Sequence, residues 1–269
     1  MNKEYRVFFG FKKEPFPNDL PVQDILSTTG VEGVKRRFDY CVKLGGVSVV
    51  TGDVGSGKST ALRYSAEKLH PSEYKVFYII ASSGSMIELY RQIAESLGLV
   101  KNSVSRAIMI SMIKNEIKEL VLGKKLNTIL IIDEASLLRM EVFAELHTLV
   151  QFKKDSESWL PVILAGQPTL VDKLQYRTSS PIASRIIARS HLEGLNMQGM
   201  KEYLVHHLNL AGIDRNLFSD QATTAIHQGS GGLLRKANHL ARGSLIAAAA
   251  EKSMSVSAEH VRVASSEVF

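Results

Sequence analysis

The chain has 269 residues, 45% of them hydrophobic and 22% charged. That balance supports a buried core and excludes disorder over most of the length. A single cysteine, Cys41, excludes an internal disulfide scaffold, and a net charge of +6 permits a polyanionic partner without requiring one.

The opening is rich in aromatics and prolines: Phe8, Phe9 and Phe11, then Pro15, Phe16, Pro17 and Pro21. Proline density argues against a helix there, so residues 1–29 read as an extended strap laid on a core by its aromatics. Thr29 and Glu32 have capping-box spacing, which predicts a helix from about 30 to 44. Val34, Phe38, Cys41 and Val42 fall at helical spacing, so Cys41 is expected to be a core thiol.

From Val47 onward, strand-like and helix-like runs alternate. Short β-branched or apolar runs lie at 47–51, 76–80, 128–132 and 161–166. Helical patterns cover about 58–69, 85–97, 105–122 and 140–153. The third run, Thr128 to Ile132, shows no polar alternation, as expected for a parallel strand covered on both faces. This βαβα order predicts an α/β fold, an open parallel sheet with helices on both faces and ligands at the carboxyl ends of its strands. After about Leu195 only helical patterns remain, near 197–211, 219–228, 232–251 and 257–264. The expected organisation is therefore a strap (1–29), an α/β domain (30–195) and a small all-helical domain (196–269).

No run reaches the roughly 18 apolar residues of a membrane span. The charged start, Met1 to Arg6, does not look like a secretory leader. The expectation is a cytoplasmic protein with no membrane partner.

Gly52-Asp53-Val54-Gly55-Ser56-Gly57-Lys58-Ser59 fits G-x-x-x-x-G-K-[ST] without mismatch, and Thr60 follows. Glycines let the backbone curl so that successive N–H groups face a polyphosphate. The helix that begins at Lys58 turns its positive end to the same anion. The Lys58 ammonium suits the β- and γ-phosphates of ATP, and the Ser59 hydroxyl suits Mg²⁺.

A second signal is independent of the first. The apolar run Ile129 to Ile132 ends in Asp133 and Glu134. In this context Asp133 suits the Mg²⁺ shell and Glu134 suits orientation of an attacking water. Helix N-capping is the other common use of such an acid. A kinase could also carry the glycine loop, but the tandem acids favour water over a substrate hydroxyl as nucleophile.

These two motifs, with a helical region downstream, resemble the AAA+ ATPases, in which a P-loop parallel-sheet domain is followed by a small helical lid. The opening Phe8 to Phe16, the stretch Thr51 to Thr60, and Ala165-Gly166-Gln167-Pro168-Thr169-Leu170 are similar to the ExeA-like group. That group includes general secretion ATPases and transposon ATPases of the TnsC, TniB and MuB kind. The resemblance implies that Gln167 takes the sensor 1 position near the γ-phosphate. It implies that Arg185, with Arg189 as competitor, is an arginine finger entering a neighbour's site, and that Arg235 is the sensor 2 residue of the lid. A finger supplied in trans implies an ATP-dependent homo-oligomer, either a ring or a helical filament.

Two jobs follow from the resemblance. The chain's length and the lack of a membrane span favour a transposition ATPase that oligomerises on double-stranded DNA and regulates a transposase or an accessory protein. The alternatives are a soluble secretion ATPase of the ExeA type and a nucleotide-dependent assembly switch with little turnover. By the same resemblance the duplex-facing region is the loop Lys101, Asn102, Ser103, Ser105 and Arg106 together with Lys114 and Lys118 of the following helix. His206 and His207 are adjacent and lack the i, i+4 spacing of a helical metal pair.

Overall fold

The computed structural model describes residues 4–99, 105–153 and 157–268. These fold as two compact units, one built from residues 29–52 and 58–192 and the other from residues 1–28, 53–57 and 193–269.

The first unit holds a five-stranded, wholly parallel sheet in the order β2-β3-β4-β1-β5. Its strands are β1 (Val47–Gly52), β2 (Tyr74–Ile80), β3 (Asn127–Asp133), β4 (Val162–Gly166) and β5 (Ile186–Leu192). Every residue of β1 and β4, and all of β3 after Asn127, is buried, so helices cover both faces of these central strands. The helices of this unit are α2 (Thr29–Leu44), α3 (Lys58–Glu67), α4 (Met86–Ser96), α5 (Arg106–Lys118), α6 (Met140–Val150), α7 (Thr169–Gln175) and α8 (Ser180–Ala183). α2 and α3 pack against each other and along β5 and β1, while α4 joins α5, α6 and β2. Met109, Ile113 and Ile117 of α5 are fully buried at helical spacing in the core around β3 and β4. α5 ends in a π-helical turn over Glu119–Gly123.

The sequence shows four of these strands. β5 escapes it because its inward residues include Ala188 and Ser190 and its outward ones Arg189 and His191, so neither apolar content nor clean alternation marks it. It is an edge strand, hydrogen-bonded on one side only, to β1.

The second unit contains α1 (Glu4–Phe9), α9 (Met197–Leu210), α10 (Asp220–Ser230), α11 (Leu234–Ala250) and α12 (Ala258–Val268). α9 is capped by Asn196, whose side chain accepts from the Gly199 amide, and α10 by Ser219, which accepts from Ala222. The expected extended strap needs correction at its start, because Glu4–Phe9 is helical. The prolines all lie beyond it, from Pro15, so nothing in the first nine residues opposes a helical turn. The aromatics do anchor this segment: Tyr5, Phe9, Phe11 and Phe16 are buried in one core with residues of α9, α10 and α11. Among the described residues, no helix is long and apolar enough to cross a membrane.

Candidate nucleotide site

Strand order places three chain reversals side by side. β4 lies between β1 and β3, so Gly52, Gly166 and Asp133 are the last residues of three adjacent parallel strands. The carboxyl ends of such strands are where open α/β sheets bind ligands.

Residues 53–57 connect β1 to α3. Gly55 (φ 85°) and Gly57 (φ 97°) both adopt the left-handed conformation that glycine tolerates without strain. The loop is tight: a Cβ on Gly55 would lie 2.8 Å from Cβ of Arg235, whose amide donates to the Gly55 carbonyl at 3.2 Å. Arg235, near the amino end of α11, is thus beside the loop within the second unit. The Ser56 amide closes the turn onto the Asp53 carbonyl at 3.1 Å. The Ser56 hydroxyl is buried with no protein partner. A glycine-only curl and an orphaned buried hydroxyl fit a loop built to receive a polyphosphate.

Lys58, the first residue of α3, is buried, and its Nζ donates to the Gly52 carbonyl at 2.8 Å. Ser59 follows, and its Oγ donates to Asp133 Oδ2 at 2.6 Å. Asp133 is only 3% exposed. Its other oxygen, Oδ1, accepts from the Glu134 amide at 2.9 Å. This joins the two motifs that the sequence presents separately. A hydroxyl from the start of α3 and a carboxylate from the end of β3, in contact, are oxygen ligands of the type Mg²⁺ selects.

Sequence reasoning missed a third partner. Tyr78 of β2 donates to the same Asp133 Oδ2 at 2.5 Å, and burial raises the phenol's pKa well above its ordinary value, reinforced by that hydrogen bond. No local sequence signal marks it, because the contact depends on the register of β2 against β3, which sets Tyr78 two residues before Ile80, the partner of Asp133.

Glu134 leaves the strand in a left-handed conformation, with φ 53° and ψ 30°. For a non-glycine residue this costs on the order of 1–2 kcal/mol, and such strain collects at functional sites. Gln167 follows β4, with its amide against Ser136 Oγ at 3.3 Å. Glu134 and Gln167 therefore flank the same short turn at the ends of neighbouring strands.

The two finger candidates differ in position. The Arg185 carbonyl accepts from Val47 N at 3.0 Å, so this residue stands at the amino end of β1 and β5, the edge of the sheet opposite Gly52. Arg189 is exposed in mid-strand, opposite Val49. Of the expected DNA-facing residues, Lys101, Asn102 and Ser103 lie outside the described residues. Arg106 is exposed and paired with Glu145 at 2.7 Å. Lys114 donates to the Gln151 carbonyl at 2.9 Å and lies 5.6 Å from the centre of the Phe152 ring, and burial lowers its pKa.

Fold and site together define the class at the level of architecture: the P-loop AAA+ fold, a parallel-sheet unit with a helical carboxyl-terminal part. Residues 42–174 match the AAA domain family. The chain is 30% identical over 269 residues to general secretion pathway protein A of Aeromonas hydrophila, an alignment that covers 98% of this chain. It covers 48% of that protein, so the chain spans about half the length of the relative it matches. Among solved structures, CDC6P from Pyrobaculum aerophilum has a TM-score of 0.71 at 19% identity, covering 98% of this chain and 71% of that one. Aeropyrum pernix ORC1 in complex with DNA has a TM-score of 0.66 at 15% identity, covering 98% and 69%. The RuvB Holliday junction branch migration motor of Thermotoga maritima has a TM-score of 0.56 at 19% identity, covering 88% and 69%. At these identities the structural likeness is one of fold.

Proposed function

We propose that this protein binds ATP at the 52–60 loop and hydrolyses it in a magnesium-dependent reaction. The observation that carries this is the contact between Ser59 Oγ and Asp133 Oδ2, which joins the phosphate loop to the acid pair. Gly52, Asp53, Val54, Gly55, Ser56, Gly57 and Thr60 supply backbone and hydroxyl donors to the polyphosphate, and Lys58 its counter-charge. Ser59 and Asp133 would hold Mg²⁺, whose contribution is to offset charge on the phosphates. Glu134 orients and polarises the attacking water, Gln167 holds that water or the γ-phosphate, and Arg235, beside Gly55 in its own unit, contributes to the nucleotide as the sensor 2 residue.

The arginine finger in this reading is Arg185. A strand of six residues rises roughly 20 Å, so a side chain at the amino end of β5 is remote from its own phosphate loop. It serves the site of a neighbouring copy, and the working form is a ring or helical homo-oligomer.

The proposed task is ATP-dependent assembly on double-stranded DNA, with the nucleotide state passed to a transposase. The basic charge and the position of Arg106 and Lys118 support a duplex partner. A second reading, a secretion-pathway ATPase, is favoured by the 30% identity to general secretion pathway protein A. Steady-state hydrolysis with and without duplex DNA separates them. Stimulation by duplex supports the first and indifference the second. Lys58→Ala should abolish nucleotide binding, while Glu134→Gln should bind ATP and turn it over on the order of 10²-fold more slowly. Normal turnover by Glu134→Gln would remove Glu134 from its assigned role.

A further inference from the structure

The backbone that presents Glu134 is held from its downstream side by a lysine with no part in the motifs above. Glu134 enters a short 3₁₀ turn, Ala135–Leu137, in which Leu137 N returns to the Glu134 carbonyl at 2.9 Å. Ala135 and Ser136 are buried. Lys173, on α7, donates from Nζ to the carbonyls of both Ser136 (2.6 Å) and Leu138 (2.8 Å). The same turn is gripped from β4. Ser136 Oγ accepts the Gln167 amide, and a Cβ on Gly166 would lie 2.8 Å from Ser136 N.

We infer that Lys173 is a positioning residue for Glu134, clamping the acid turn to the end of β4 so that Glu134 and Gln167 act on one water. Three facts converge on it. Glu134 sits in a backbone region it leaves readily unless the surroundings hold it. The Ser136 and Leu138 carbonyls downstream of it need donors, and one ammonium supplies both. That ammonium comes from the helix directly after Gln167, so the clamp ties together the two strand ends whose residues must agree in position. An error of about 1 Å in such a group costs on the order of 10²-fold in rate. Lys173 makes its hydrogen bonds to the acid turn and not to residues 52–60, so its removal should leave nucleotide affinity alone.

The inference rests on the role assigned to Glu134, and its test separates the two. In the full chain, amide hydrogen exchange over residues 133–139 and ATP affinity and turnover are compared for the unmodified protein, Lys173→Met and Lys173→Arg. Lys173→Met should speed exchange in that segment at least about tenfold. It should lower kcat by about 10- to 100-fold and keep ATP affinity within about twofold, with Lys173→Arg restoring most of both properties. Exchange at the unmodified rate in Lys173→Met would overturn the inference. So would a fall in affinity that matches the fall in kcat, which would make Lys173 a general folding contact. If the unmodified protein binds ATP without turnover, the hydrolysis reading falls while the exchange comparison still decides whether Lys173 holds the turn. Should Lys173→Met fail to fold, Lys173→Gln, which keeps one donor group, takes its place with the same expected directions.

Discussion

Tyr78 and Asp133 share a hydrogen bond of 2.5 Å, and it ends on the oxygen that also accepts from Ser59. The phenol thus fixes the orientation of the one carboxylate linking the phosphate loop to the acid turn. A hydrogen bond to a charged group contributes about 1.5–3 kcal/mol. Part of that is regained when the remaining donors adjust, so Tyr78→Phe should raise the magnesium concentration needed for half-maximal nucleotide binding about 3- to 10-fold. Metal titration of a fluorescent ATP analogue measures this, and an unchanged midpoint would reduce Tyr78 to packing.

Arg185 stands at the amino ends of β1 and β5, away from the phosphate loop. Arg185→Ala should lower turnover on the order of 10³-fold while leaving ATP binding intact. Mixing Arg185→Ala with Lys58→Ala subunits should recover part of the activity, because each supplies what the other lacks. No recovery on mixing would exclude a finger acting in trans. Arg189→Ala serves as the comparison, with a smaller expected effect.

His207 carries a pH prediction for the helical unit. It is 1% exposed, stacked on Phe16 with ring centres 5.0 Å apart and tilted against Tyr203 at 4.4 Å, and neither ring nitrogen has a hydrogen-bond partner. Burial, with a smaller contribution from His206, lowers its pKa from 6.5 to about 3. Below pH 6.5 the unfolded chain takes up a proton that the folded one refuses, so stability falls as pH drops from about 6.5 towards 3. By pH 4.5 this single group accounts for about 2–3 kcal/mol. His207→Leu should flatten the acid limb of the stability curve, measured by urea unfolding between pH 7 and 4. An acid limb of unchanged slope would show that other groups dominate.

Arg106 is exposed and pairs with the surface acid Glu145. Removing charge at Arg106 and at Lys101 should weaken duplex binding. It should also flatten the salt dependence, by about one unit of slope for each phosphate the variant no longer neutralises. Lys114→Ala should affect stability more than binding, since its ammonium is committed to Gln151. Duplex affinity unchanged in the Arg106 and Lys101 variants would remove this edge from the interface.

The local code was sufficient for the parts of the molecule that obey local rules. The loop from Gly52 to Ser59 turns at two left-handed positions, Gly55 and Gly57, that glycine adopts without strain, and its residues are contiguous. The run ending in Asp133 and Glu134 is a buried strand whose apolar content and terminal acids lie in one stretch. The helices from α9 to α12 follow periodicity that any window of the sequence displays. What only the folded chain decided are contacts between distant stretches. Tyr78 reaches Asp133 across 55 positions, and Lys173 reaches Ser136 across 37. Strand order, with β4 set between β1 and β3, brings Gln167 to the acid turn, and no single strand's sequence specifies its neighbour. β5 is a strand because β1 offers it a hydrogen-bonding edge, although its own residues argue weakly for one. The motifs can be read along the chain; the residues that touch them from elsewhere are found by distance in space, because hydrogen bonds and packing act over a few ångströms regardless of how far apart two residues lie in sequence.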